Sequence, residues 1–516
     1  MAEMRSRPGG PRLHRFPGGL ELPANKAGAT MIPIRVAPLP HELVVPLAQR
    51  SADTAKPIVE RGRRVRRGEV IAQPENATGV PVHAPTSGII TAIEDRDVPH
   101  PSGLPARCIV IEADGRDEAV EPQPLHDWKN TSPAEVRDHV RAAGIVGLGG
   151  AAFPTWVKLD ARERAPIDLL ILNGAECEPC ISCDDMLMRE RAGEILSGAR
   201  ILLHALEAQR CQIAIEDNKP DAERALREAL ATAHDDRLEL VTVPSVYPEG
   251  GEKQLIQVLT GREVPHDGLP ANIGVVCQNV ATSAAVHRAV VAGEPLVARV
   301  VTVTGQGVAQ PANVEARIGT PFSALIEFCG GYTEHVARLI MGGPMMGFAL
   351  STDDVPIIKA TNCILAGSAA EAVPARVTLP CIRCGECAQV CPATLLPQTL
   401  YAFTRAREFD KVQAYDIFDC IECGCCDLVC PSQIPLVSHF RFAKAEIRGK
   451  ELERAQADLA RQRFEARSAR LERESLEQEE RRRKKQEALE KMKSSDAKRN
   501  EIQAALERAK KKRRER

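Results

Sequence analysis

The sequence predicts a multidomain α/β protein: a β-rich N-terminal domain, an alternating α/β domain, a small mixed unit, an all-helical domain built on cysteines, and a charged C-terminal helix. Three observations predict it. Short β-branched runs separated by turn residues fill residues 31–125, strand and helix patterns alternate from about residue 132, and two matching cysteine runs stand at 381–391 and 420–430. At 516 residues the chain has room for ~3 to 4 domains.

Residues 1–30, rich in Gly, Pro and Arg, read as an irregular N-terminal arm. In 31–125 the strand candidates are 32–36, 68–71 with Val65, 80–83, 88–93 and 108–111. The stretch from Val65 to Gly68, followed by His83-Ala84-Pro85-Thr86-Ser87-Gly88, resembles the barrel-sandwich hybrid fold of biotinyl and lipoyl domains. Those domains carry a cofactor on a hairpin lysine, and no lysine lies between Lys56 and Lys129, so a scaffold is expected here rather than a swinging arm.

Residues 132–297 read as a Rossmann-like domain, with strands at 168–172, 211–216 and 238–243 separated by helices at 186–207 and 221–233; strands so separated imply a parallel sheet. Residues 298–350 fit a β-grasp unit: strands at 299–304 and 313–317, a helix at 321–328, and a last strand ending at Gly342-Gly343-Pro344. Residues 370–445 hold the cysteine runs, and between them Leu395, Leu396, Leu400, Phe403, Phe409, Val412 and Ile417 recur at roughly helical spacing. Residues 446–516 contain the last glycine, Gly449, and no proline, and read as an uninterrupted basic helix with pairs such as Glu477 with Arg481 and Glu480 with Lys484.

Net charge near zero conceals an asymmetry. Residues 451–516 hold 22 Lys and Arg against 15 Asp and Glu, or +7, which leaves −9 for the body. The tail is read as a solvated helix in preference to an arm for anionic lipid; nucleic acid is not expected as a partner, because aromatic residues for base stacking are almost absent there. Residues 1–10 lack an apolar run, so no secretory start is expected and the 17 cysteines are read as thiols and metal ligands. The apolar stretch 275–293 is broken by Gln278, Asn279, His287 and Arg288, and no transmembrane span is expected.

Cys381, Cys384, Cys387 and Cys391, then Cys420, Cys423, Cys426 and Cys430, each spell C-x2-C-x2-C-x3-C followed by proline. Cubane iron needs soft thiolates on several corners; three closely spaced cysteines wrap three corners and a distant one supplies the last. Eight ligands mean two 4Fe-4S clusters. The fourth cysteine of such runs ligates the other cluster, so Cys430 is assigned with Cys381, Cys384 and Cys387, and Cys391 with Cys420, Cys423 and Cys426. Zinc uses C-x2-C pairs too, but a duplicated four-cysteine run has no simple zinc reading. Cys425 falls outside the pattern.

A second site begins at Gly147-Leu148-Gly149-Gly150-Ala151-Ala152-Phe153, where small residues let backbone N–H groups approach a phosphate or flavin edge. Asn173-Gly174-Ala175-Glu176-Cys177-Glu178-Pro179 follows the first strand, at the carboxyl edge where parallel sheets bind ligands. Tyr247-Pro248-Glu249-Gly250-Gly251-Glu252 and Cys277-Gln278-Asn279-Val280-Ala281-Thr282 should return to the same face. Asn279 and Thr282 suit a phosphate near a helix start.

These segments resemble, in order, the NADH- and FMN-binding subunit of respiratory complex I, from about residue 140 through the β-grasp unit. With Phe16-Pro17-Gly18-Gly19-Leu20, the His83 to Gly88 signature, Asp184-Asp185-Met186-Leu187-Met188 and the twin cysteine runs, residues 16 to about 445 are more similar to the C subunit of the Rnf electron-transport complex. The resemblance implies FMN held by Gly147, Gly149, Gly150, Lys158, Asn173, Glu176, Gly250, Gly251, Glu252, Asn279 and Thr282. It implies NADH as substrate, with Phe153 stacked on the nicotinamide and Glu178 in contact with the nucleotide. It also implies a peripheral place on the cytoplasmic face of the bacterial inner membrane, and partners that are other subunits of a membrane complex moving Na+ or H+, a ferredoxin-like iron-sulfur subunit among them. Ala152, Trp156 and Gln278 depart from the complex I pattern, and Trp156 is expected to narrow the nicotinamide slot.

The competing readings are a soluble ferredoxin-linked diaphorase and a flavin-free iron-sulfur relay. Cys177, Cys180 and Cys183 repeat the C-x2-C-x2-C spacing, with Cys211 or Cys277 as a conceivable fourth ligand, but they are read as small fillers at the crevice lip rather than as a third cluster. His83 and His100 are read as structural.

Overall fold

The computed structural model describes residues 12–49, 54–163, 165–371 and 377–515. The first eleven residues of the N-terminal arm lie outside them. The chain divides into two compact units, Met1–Arg441 and Phe442–Arg516.

In the first unit, strands Glu42–Pro46, Ala106–Ala113, Gly88–Arg96 and Arg64–Val65 make an antiparallel sheet, and Ala55–Pro57, Val70–Pro74 and Val82–His83 make a second. Val45, Val65, Ile71, Val82, Ile90, Ile109 and Ile111 fill the space between them, as alternation along β-branched strands requires. The strand expected at 32–36 is reduced to Arg35–Val36 and leaves this domain, pairing in parallel with Ala312–Arg317. Pro33 has no N–H to give a ladder, and the Ile34 amide is taken by the Glu190 carboxylate at 2.7 Å.

The Rossmann-like domain is a parallel sheet in the order Leu238–Val243, Arg210–Glu216, Leu169–Gly174, Val275–Asn279. Leu170 and Leu172 face one layer of helices, which includes Pro133–Ala142 and Ala192–Leu206, while Leu169 and Ile171 face Glu252–Thr260 on the other side. Burial on both faces explains why these strands are apolar throughout rather than alternating. The single helix expected at 186–207 is two, Cys183–Glu190 and Ala192–Leu206, broken at Arg191, whose guanidinium binds the Glu315 carboxylate of the neighbouring sheet.

The β-grasp unit is a six-stranded sheet in the order Arg35–Val36, Ala312–Arg317, Ala298–Thr304, Cys363–Ser368, Val336–Met341, Phe348–Leu350, packed on helix Phe322–Phe328. A strand from beyond residue 350 joins its sheet. Cys363–Ser368, buried along its whole length, is inserted between strands that precede it in sequence. Residues 377–435 hold only short helices, among them Pro397–Arg405 and Phe409–Ala414, with no strand among the described residues. The two cysteine runs repeat each other in backbone conformation: Arg383 and Glu422, Gly385 and Gly424, Thr394 and Gln433 share positive φ at matching places.

The second unit belongs to a helix that runs over Leu436–Arg514, and its side chains beyond Lys450 are almost all exposed. Glu480 and Lys484 pair at 2.8 Å. No helix among the described residues is long and apolar enough to cross a membrane.

Candidate functional site

Two hollows divide the eight cluster-type cysteines. One is lined by Cys381, Cys384, Cys387 and Cys430, the other by Cys391, Cys420, Cys423 and Cys426, so each run sends its fourth cysteine across to the other. Backbone amides already point at sulfur in both: Leu395 N–H at Cys391 Sγ, 3.3 Å, and Ile434 N–H at Cys430 Sγ, 3.5 Å. Four thiols around a small cavity with N–H donors to sulfur are what a 4Fe-4S cluster requires. Cys381 and Cys384 are exposed, whereas Cys423 and Cys426 are buried. The second hollow is also lined by Cys425 and lies inward, where Cys423 and Cys425 pack with Tyr247, Cys177 and Met345.

Hydrogen bonds knit the residues at the carboxyl edge of the parallel sheet into one crevice. The Gly147 N–H bonds the Phe153 carbonyl at 2.7 Å, closing the glycine loop, and the next amide, Leu148, donates to Thr282 Oγ1 at 2.9 Å. Lys158 Nζ lies 2.6 Å from Glu252 and 2.9 Å from the Cys277 carbonyl. Asn173 Nδ2 donates to the Gly250 carbonyl at 2.8 Å. A Cβ on Gly250 would stand 2.2 Å from the Ala175 carbonyl oxygen, so only glycine fits there. Asn279 caps the helix Val280–His287, its Oδ1 accepting from Ala281 and Thr282, while its Nδ2 donates to Asp184 at 2.5 Å. Gly251 caps the helix that begins at Glu252, and Gly150 sits at φ +109° beside Asn362.

These residues fit FMN. The Gly147–Gly150 loop admits a ligand close to its backbone, Lys158 supplies a cation, and the helix start beside Asn279 favours an anion. Glu176 is turned inward instead: its carboxylate accepts from the Asp184 and Asp185 amides at 2.9 and 3.3 Å and pairs with Lys26 at 3.9 Å. Glu178 accepts from the amides of Met345 and Met346 at 2.8 and 3.1 Å, and burial, only partly offset by these donors, raises its pKa. Phe153 is partly exposed at the end of the glycine loop. Trp156 does not enter the crevice. Its indole N–H donates to the Thr78 carbonyl at 3.2 Å and its ring lies under Arg141 at 4.4 Å, so it braces the β domain and does not narrow a slot.

Sequence reasoning missed several residues. Tyr247, read only as part of a motif, donates its hydroxyl to the Cys423 carbonyl at 2.6 Å. The N-terminal arm laces the two sites together, since Leu20 exchanges backbone bonds with Tyr247 and the Gly19 amide bonds the Val390 carbonyl. Nothing short of the three-dimensional fold marks Lys26 or Met345. Cys177 accepts from the Gly250 amide and packs toward Tyr247, while Cys180 and Cys183 share another core with Cys363 and Leu365, so the three thiols do not converge. His83 is buried and its pKa is pushed down to about 3 by burial and by Lys359; His100 bonds Ser102 on the surface.

A glycine-loop crevice on a parallel sheet, with a four-cysteine hollow packed against it, defines a flavin and iron-sulfur electron-transfer protein. Family models match four segments: the RnfC barrel sandwich hybrid domain over residues 14–116, the Nuo51 FMN-binding domain over 140–288, the SLBB domain over 300–349 and the 4Fe-4S dicluster domain over 380–434. The chain is 52% identical over 462 residues to the C subunit of an ion-translocating oxidoreductase complex of Pseudomonas aeruginosa, covering 90% of this chain and 59% of that one. Proteins of the same description from Edwardsiella ictaluri and Serratia proteamaculans are 49% and 46% identical, covering 96% and 97% of this chain and 61% and 70% of theirs. The chain belongs to this family, the C subunits of ion-translocating oxidoreductase complexes. It spans about three fifths of the length of the Pseudomonas and Edwardsiella relatives. It carries an FMN-binding domain and a domain for two 4Fe-4S clusters.

Proposed function

We propose that this chain is the electron-input subunit of a membrane-bound ion-translocating oxidoreductase complex. It takes electrons from NADH and passes them by way of FMN and two 4Fe-4S clusters to a ferredoxin-like iron-sulfur partner, coupled to movement of Na+ or H+. Its place is peripheral, on the cytoplasmic face of the bacterial inner membrane. The observation that carries this reading is the bond from Tyr247, on the crevice loop, to Cys423, in the buried hollow. Flavin and metal sites with unrelated tasks would have no reason to share a packed boundary.

FMN supplies the exchange between two-electron nicotinamide chemistry and the one-electron chemistry of the clusters. The chain's part is placement. Lys158, Asn279 and Thr282 would hold the phosphate of FMN, and Asn173 with Gly250 would line its ring site. Phe153, on the open side of the glycine loop, stacks on the nicotinamide. Glu178 contacts NADH by exchanging the Met345 and Met346 amides for the nucleotide. The hollow of Cys391, Cys420, Cys423 and Cys426, packed next to the crevice, would hold the cluster nearer the flavin, and the hollow with exposed Cys381 and Cys384 would hold the one nearer the partner.

The test is an optical titration of anaerobically purified protein with NADH, with iron, sulfide and acid-released flavin assayed on the same sample. About eight iron and one FMN, both chromophores bleached by NADH, are expected. About eight iron without flavin or NADH response would leave only a cluster relay.

A further inference from the structure

Behind the crevice, where the β domain, the parallel sheet and the β-grasp sheet meet, lies a cavity of about 340 Å³. Its rim includes exposed Val36, Ala119, Pro122 and Glu294, and its floor includes buried Leu148, Cys183, Asp184 and Arg299. None of the residues assigned to FMN lines it. Its floor nevertheless backs directly onto them: Leu148 is the middle of the glycine loop, and Asp184 is bonded to Asn279.

Asp184 is unusual among the buried acids at this sheet edge. Glu176 has Lys26, Asp185 has Arg189 at 2.6 Å, and Glu216 has Lys219. Asp184 and Glu249 have no ion-pair partner among the described residues. Asp184 Oδ1 and both Glu249 oxygens are buried without a hydrogen-bond partner. Arg299 faces Asp184 from the β-grasp sheet but gives its guanidinium to the Leu148 and Lys359 carbonyls. Glu176 crowds Asp184 from the strand-end loop, and Lys219 acts on it from the neighbouring strand's end. Burial and a like charge favour the protonated form of a carboxyl without an ion pair, and for Asp184 the cations Arg299 and Lys219 offset this only in part. Burial, then Glu176, pushes the Asp184 pKa up to about 7, and burial, then Glu216, pushes Glu249 up to about 9. Of the two, Asp184 alone lines the cavity.

We propose that Asp184 is a proton-exchange group, its Oδ2 tied to the Asn279 edge of the flavin crevice and the residue itself part of the lining of the interdomain cavity. The proposal rests on the electron-input reading, which creates the need. NADH yields NAD+, one H+ and two electrons; the clusters take the electrons alone, so one H+ per NADH must leave the crevice. The cavity has room for on the order of ten waters, and Arg191, Arg288, Arg299 and Glu315 in its wall give them partners.

The test is infrared spectroscopy of the full chain, whose protonated carboxyl band is followed from about pH 5 to 9. A band that titrates near neutral pH, is lost in Asp184→Asn, survives Glu249→Gln and returns in Asp184→Glu is expected. In Ala285→Phe, which puts a large side chain into the cavity that Asp184 lines, exchange of that band in D2O should slow roughly tenfold as ordered water is excluded. A band unchanged by Asp184→Asn, or exchange unchanged by the filled cavity, would overturn the proposal. Flavin assayed on the same samples separates the two readings. Wild-type protein without flavin overturns the electron-input reading and the proposal with it, whereas flavin present with no Asp184 band overturns the proposal alone.

Discussion

Tyr247 and Cys423 are joined by a 2.6 Å hydrogen bond from the phenol hydroxyl to the backbone carbonyl, across 176 positions of sequence and across the boundary between the crevice and the inner four-cysteine hollow. Both residues are buried, at 3% and 7% exposure, so water cannot replace either partner. Tyr247→Phe leaves the Cys423 carbonyl unsatisfied, a cost of about 1–3 kcal/mol. Iron should then be lost to a chelator faster from the Cys391, Cys420, Cys423, Cys426 hollow, with flavin retained and the outer hollow unaffected. Equal loss from both hollows would show that the bond does not brace the inner one.

The crossed hollows, which match the assignment made from the spacing, give a prediction that separates them from two self-contained runs. Cys430→Ala should remove the same electron paramagnetic resonance signal as Cys381→Ala, and Cys391→Ala the same signal as Cys420→Ala, each variant keeping about half the iron. If Cys430→Ala instead removes the signal lost in Cys420→Ala, each run holds its own cluster.

For the crevice, Asn173→Ala severs the bond to the Gly250 carbonyl, and Lys158→Met removes the cation held at Glu252 and Cys277. Both should lower bound flavin by at least roughly tenfold in affinity, about 1.4 kcal/mol, while iron content is unchanged. Glu176→Ala should behave differently. Its carboxylate takes the Asp184 and Asp185 amides and meets Lys26, so flavin loss should come with a lowered thermal midpoint. Flavin lost with an unchanged midpoint would return Glu176 to direct contact with the ring.

Most of this layout was legible because the chemistry is local in sequence. Thiolate spacing marks the cysteine runs, and apolar strands between helical patterns mark the parallel sheet. What was not legible depends on contacts between distant segments. Cys363–Ser368 reads as an ordinary apolar run and gains its place only by insertion beside Ala298–Thr304. Arg35–Val36 is too short to announce a partner and is placed by Ala312–Arg317. Trp156, beside the glycine loop in sequence, points to Thr78 because its indole N–H needs an acceptor that the β domain supplies. Lys26 shows the same limit, since an arm with no periodicity carries no sign that its ammonium reaches Glu176.

Glu315 ties the parallel-sheet domain to the β-grasp sheet, bonding Arg191 and, at 2.8 Å, Arg288. Burial works against its charge, but the two guanidinium groups outweigh it and hold the pKa near 2, below the ordinary 4.5. A carboxylate depressed in the folded state contributes stability that is complete above the unfolded value and disappears as pH falls through the folded one. The window is therefore about pH 4.5 down to 2, and the full contribution is about 3 kcal/mol. In urea unfolding at a series of pH values, Glu315→Gln should lower the midpoint at neutral pH and flatten the fall in stability through this acid window. A wild-type slope preserved in the variant would assign the acid sensitivity to other carboxylates and reduce the Arg191, Glu315, Arg288 cluster to a contact of little energetic weight.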